Sequence, residues 1–166
     1  SRCAGFIEKR FQGSLSTQLP DPALFKHFVD ANRSITEAYE GREFSRAMRE
    51  IMALADRANQ YINDCQPWVI AREPGQDDQL QGICTQGLNL FRILMIWLAP
   101  VVPGLAKRTQ EFLCCNIAAV GNLDDLAQPL VGHKIGPFHH LLNRIEMKDA
   151  QKMMEKPLSL EQQSSS

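Results

Sequence analysis

The sequence predicts an all-α protein, an antiparallel helix bundle with an extended C-terminal arm. Three features predict it. Apolar residues recur at steps of three and four through long segments, no segment alternates apolar and polar in the manner of a strand, and proline or glycine punctuates the segment ends. The 166 residues suffice for one domain with a substantial core. The reading divides them into a bundle over 1–129, an arm with short helices over 130–155, and a polar tail over 156–166 that lacks the apolar content to order itself.

Residues 2 to 11 read as a helical fragment, followed by the polar loop "QGSLSTQLPDP". Asp21 before Pro22 is a helix start, with the carboxylate as N-cap and the proline at the first helical position. Leu24, Phe28, Ala31, Ile35 and Ala38 then form one apolar stripe that stops at Gly41. The third helix, from about Arg42 to Cys65, carries the strongest period in Phe44, Met48, Ile51, Ala55, Ala58 and Ile62. Pro67 ends it, because proline excludes the residue before it from the helical region and brings no amide donor. Trp68 is thereby expected at a helix-loop junction, before the turn "REPGQ".

Asp77 and Asp78 suit the start of a fourth helix, traced by Leu80, Cys84, Gly87, Phe91, Leu94 and Leu98. Its second half is apolar nearly all round, which marks the central element of a bundle. Pro100 stops it, and "PGLAKRTQEFLCC" supplies a shorter fifth helix. Beyond Asn116 short apolar runs mix with Gly and Pro, predicting an extended arm with one or two short helices. Gly132, Gly136 and Pro137 weaken its local structure, so Leu130–Ile145 is expected to resist hydrogen exchange less than the bundle.

A net charge of −1 gives no global basic footprint, so any contact with nucleic acid must be local. The most apolar stretch, "LNLFRILMIWLAPVV", is interrupted by Arg92 and cut by Pro100; it reads as a core helix, and no membrane partner is expected. Five cysteines without CxxC or Cys/His zinc spacing suit free, mostly buried thiols in a reducing compartment, the cytoplasm. No metal site is expected from His27, His133, His139 and His140. The pairs Asp77-Asp78 and Asp124-Asp125 fall where helices begin, and Asn32-Arg33-Ser34, a glycosylation sequon by pattern, falls inside the second helix. No phosphate-binding glycine loop or nucleophile elbow occurs, so no catalytic residue and no cofactor is assigned to this chain. The opening "SRCAGFIEKRF" already reads as the inside of a helix, and the chain is expected to be part of a longer protein.

What remains is Trp68, with Arg2, Lys9, Arg10, Arg57 and Arg72 as possible neighbours. Periodicity leaves it open between an edge plug on the core and a platform for a flat ligand. Trp97, deep in the apolar fourth helix, is core.

The run "REFSRAMREIMALADRANQYINDCQPWVIA", residues 42 to 71, resembles the anticodon-binding helix bundle of bacterial methionyl-tRNA synthetases, as do "SRCAGFIEKRF", "GLNLFRILMIWLAPVVPGL" and "PLVGHKIGPFHHLLNRIE". The resemblance runs in order over roughly residues 1 to 147. It implies a class I aminoacyl-tRNA synthetase whose N-terminal catalytic domain uses ATP and Mg²⁺; neither HIGH nor KMSKS occurs here. It implies tRNA(Met) as partner through its anticodon loop, and the enzyme's own catalytic domain as the second. The family's Pro-Trp pair matches Pro67 and Trp68, whose indole would stack on the first anticodon base, a cytosine. The family's reading Arg matches Arg2; its companion Asn, one helical turn earlier, falls ahead of Ser1, and Cys3 stands where relatives carry Asn. Asn59 and Tyr61 fit the family's N-x-Y and are expected to support the Trp68 junction.

Physically, an indole at a rigid corner after a proline suits stacking, which contributes about 1 to 3 kcal/mol per base. The alternative function is a helical protein-interaction domain that keeps the bundle without binding RNA.

Overall fold

The computed structural model describes residues 2–115, 117 and 123–137. Its helices are α1 (Arg2–Phe11), α2 (Pro22–Glu40), α3 (Phe44–Cys65), α4 (Pro67–Ile70), α5 (Asp77–Leu98), α6 (Pro103–Leu113) and α7 (Leu123–Ala127). Among the described residues there is no strand, only one isolated antiparallel bridge between Ser14 and Lys134. The all-α bundle is as the sequence predicts, with α5 at its centre, packed against α1, α2, α3, α4 and α6.

Each long helix forms for the reason its pattern gives. At the start of α2 the Asp21 carboxylate accepts the Leu24 amide at 3.1 Å, satisfying one of the orphan donors, while Pro22 needs none. The stripe below it buries Leu24, Phe28, Ile35 and Ala38. Gly87 lets α5 approach its neighbours: a Cβ there would stand 2.9 Å from Ile62 Cδ1 and 3.4 Å from Cys3 Sγ. Trp97 is wholly buried, and its indole N–H donates to Asn32 Oδ1 at 2.8 Å. Asn32 therefore serves the core, and the sequon pattern around it marks no accessible acceptor.

Three expectations need correction. The third helix starts at Phe44, not Arg42, because Arg42 adopts φ 59° and Glu43 is the N-cap. Phe44, assigned to the apolar stripe, is 43% exposed. It sits in the first turn, at the end of the bundle, and packs edge-on against Tyr39 with ring centroids 6.2 Å apart. Finally, Trp68, expected at a helix-loop junction, lies with Pro67 in the first turn of the separate short helix α4.

Along α5 the polar residues Gln81, Thr85, Asn89 and Arg92 recur at helical spacing and fasten the first loop, the end of α7 and the arm. Gln81 donates to the Ser14 carbonyl at 2.9 Å, and Thr85 Oγ1 accepts the Ser16 amide at 3.0 Å. Beside them, Gln86 both accepts from the Asp21 amide and donates to its carbonyl. Asn89 does the same for Leu130, at 2.7 and 3.0 Å. The buried Arg92 guanidinium donates to the carbonyls of Asp125, Leu126 and Gln128. These lie at the end of α7, where carbonyls lack helical partners and a cation is favoured. Burial lowers the Arg92 pKa from its ordinary value, though a guanidinium keeps its charge at neutral pH.

The arm is extended over 130–137, as expected, but it is tied down. Gly132 donates to Ser16, Leu15 to His133, Ile135 to Gly13 and Gly136 to Phe112, each at 2.8 Å. Gly13, at φ 84°, admits it: a Cβ there would lie 2.7 Å from the Ile135 carbonyl oxygen. The weak hold expected from Gly132, Gly136 and Pro137 is thus offset by tertiary hydrogen bonds. The remaining arm, the tail, and His139 and His140 lie outside the described residues.

Candidate nucleic-acid interface

The α3–α4 corner is built at Gln66. Its N–H donates to the Ile62 carbonyl at 2.9 Å as the C-cap of α3, and its carbonyl accepts Val69 N–H at 3.0 Å as α4 begins. Pro67 disfavours right-handed helix at the residue before it, and Gln66 takes the left-handed conformation, φ 48° and ψ 62°. Pro67 is buried at the first position of α4, which turns the half-buried Trp68 toward the bundle edge. Tyr61 is buried in the last turns of α3 just before the corner, and burial raises its pKa.

Arg2, exposed at the start of α1, places its Cζ 5.2 Å from the centroid of the Trp68 ring, inside the range of a cation–π contact. The structure therefore brings Trp68, Pro67 and Arg2 together. Asn59 is exposed on α3 and makes no hydrogen bond to α4 among the described residues. Of the other basic candidates, Arg10 reaches the end of α4, donating to the carbonyl of its C-cap Ala71 at 2.5 Å. Lys9, Arg57 and Arg72 are exposed. Gln66 and Ala71 carried no signal in the sequence that periodicity detects.

Chemically, the corner offers a partly exposed aromatic ring and, over it, a guanidinium of donors only. A hollow of about 560 Å³ lies elsewhere, between the end of α5 and α6, lined by Ala99, Pro103, Ala106 and Ile117. Among the described residues no group of His, Cys, Asp or Glu is placed to hold a metal ion. The five cysteines are free, with Cys3 and Cys84 buried, Cys65 and Cys115 half-buried and Cys114 exposed. No helix described is long and apolar enough to cross a membrane.

Residues 15–158 match the family described as the anticodon binding domain of methionyl tRNA ligase. The chain belongs to that family. The methionyl-tRNA ligase anticodon-binding fold is seen again in solved structures of Mycobacterium tuberculosis methionyl-tRNA synthetase. The free-state enzyme superposes with a TM-score of 0.74 at 16% identity, covering 86% of this chain and 30% of that one. Two structures with methionyl-adenylate give TM-scores of 0.74 and 0.71 at 16% and 19% identity, each covering 86% of this chain and 29% of theirs. At such identities the likeness shows the fold, and this methionyl-tRNA ligase domain spans under a third of their length.

Proposed function

We propose that this chain reads the CAU anticodon of tRNA(Met) within a cytoplasmic, ATP- and Mg²⁺-dependent methionine-tRNA ligase, whose N-terminal catalytic domain is its other partner. Trp68 stacks on the first anticodon base, a cytosine. Stacking tolerates any base, so it supplies affinity and little choice. Choice comes from Arg2, a pure donor that serves the O2 and N3 acceptors of cytosine, whereas uracil presents a donor at N3. Single-stranded loop bases can be splayed out for such edge contacts, which paired RNA does not allow.

The observation that carries this reading is the Arg2 guanidinium at 5.2 Å from the half-buried Trp68 ring, donor and platform held within one base's reach. Anisotropy titrations with CAU and UAU anticodon stem-loops test it, at one fixed salt concentration because charge contacts make affinity salt-dependent. Trp68→Ala is expected to weaken both loops alike by roughly 1 to 3 kcal/mol. Arg2→Ala is expected mainly to erase the preference for CAU. If Trp68→Ala binds the CAU loop as well as the parent chain, the indole is edge packing and the bundle serves another partner, such as a protein.

A further inference from the structure

We propose that Arg10 is a positioning residue that fixes the Trp68 platform, a role that rests on Trp68 being the stacking residue. The α4 helix is a single turn, Pro67–Ile70, too short to hold its own shape in water. Two arginines of one helix, α1, reach it. Arg2 lies over the Trp68 ring at one end, and at the other Arg10 Nη2 donates to the carbonyl of Ala71, the residue that closes α4. That carbonyl sits at a helix C-terminus, where an unpaired acceptor and the helix dipole both favour a cation.

The same guanidinium places Nη1 3.7 Å from Asp77 Oδ1, at the first residue of α5. The turn between α4 and α5 is therefore gripped at both ends by one side chain. The ion pair is exposed on both sides, 41% and 72%, and is a weak contributor by itself. The partly buried bond to Ala71, itself only 8% exposed, is the stronger tie. Along α1 the two arginines are separated by roughly 12 Å at the rise of an α-helix. A rigid rod so anchored sets where Arg2 stands relative to the indole. Arg10 thus acts through Trp68, without touching RNA.

The test uses the full chain labelled with 5-fluorotryptophan, whose two resonances report Trp68 and Trp97. In Arg10→Ala the Trp68 signal is expected to shift and broaden while Trp97, wholly buried, stays in place. Affinity for the CAU stem-loop should fall roughly three- to tenfold, the scale of one hydrogen bond. The salt slope of binding should not change. A slope lower by about one would make Arg10 a phosphate contact and overturn the proposal. Arg10→Lys keeps the charge but not the planar fork, and should behave like Arg10→Ala; full rescue by lysine would show that charge alone matters. Should Arg10→Ala fail to fold, the lysine variant carries the same readings. In a Trp68→Ala background, Arg10→Ala should cost no further affinity, and a full loss there would sink the idea. Failure of Trp68→Ala alone to weaken binding would instead take down the stacking reading, leaving the fluorine spectra to judge Arg10.

Discussion

At the scale of single residues, several polar groups inside this bundle find partners far along the chain. The Tyr39 hydroxyl donates to the Trp97 carbonyl at 2.6 Å, close to where the Trp97 indole meets Asn32. Burial pushes the Tyr39 pKa up from 10 to about 12, so folding favours the neutral phenol. A raised folded pKa means that this stability is complete below pH 10 and is lost as pH rises through about 12. Melting followed by circular dichroism should therefore show a decline confined to that alkaline window. Tyr39→Phe should lose about 1 kcal/mol at neutral pH, the worth of the hydrogen bond, and decline less steeply in alkali. The decline should not vanish, because Tyr61 is raised by burial in the same direction. An unchanged alkaline slope in Tyr39→Phe would remove this residue from the account. None of these pairings is visible in the sequence: Asn32 reads there as part of a sequon and Arg92 as an interruption of an apolar run, because their partners lie far along the chain.

At the scale of elements, what the sequence makes legible is what has a period. Helices α1, α2, α3, α5 and α6 are long enough for apolar residues to repeat, and their existence follows from the pattern. Helix α4 has no period to show, so Pro67 reads only as a stop, although proline is equally suited to a start. The Pro-Trp pair is legible as a candidate site through resemblance, whereas the grip of Arg10 depends on tertiary geometry. Joining α3 to α4 needs one residue in the left-handed conformation, and Gln66 supplies it without being glycine. A side chain there costs about 1 kcal/mol or more relative to glycine, most for a β-branched residue. Urea denaturation should thus rank Gln66→Gly at or slightly above the parent chain, and Gln66→Val about 1 to 2 kcal/mol below Gln66→Gly. Equal stability of the glycine and valine variants would mean that the corner relaxes and is no rigid support for Trp68.

At the scale of the whole molecule, α5 organises more than the apolar core. Its polar row holds the 13–21 loop through Gln81, Thr85 and Gln86, and the later chain through Asn89 and Arg92. The loop and the arm also pair with each other, through Gly13 with Ile135, Leu15 with His133, and Ser16 with Gly132. Local sequence expects the arm to open easily; a segment bonded on both sides should instead open as one unit with the loop it pairs with. The amides of Leu130, Gly132, Ile135 and Gly136 are accordingly expected to exchange with similar protection, below that of α5 but well above that of an unpaired extended chain. Asn89 is the sharpest point at which to cut, because its carboxamide both donates to and accepts from Leu130. Asn89→Leu leaves those two backbone groups without partners, at a cost of about 1 to 3 kcal/mol each if they stay buried, so the arm should detach to reach water. Hydrogen exchange should then show protection falling at all of the arm amides together, and at Leu15, while Ile51 and its neighbours in α3 keep theirs. Loss confined to Leu130, with Ile135 and Gly136 still protected, would show that the arm is held piecemeal and that α5 does not couple the two segments.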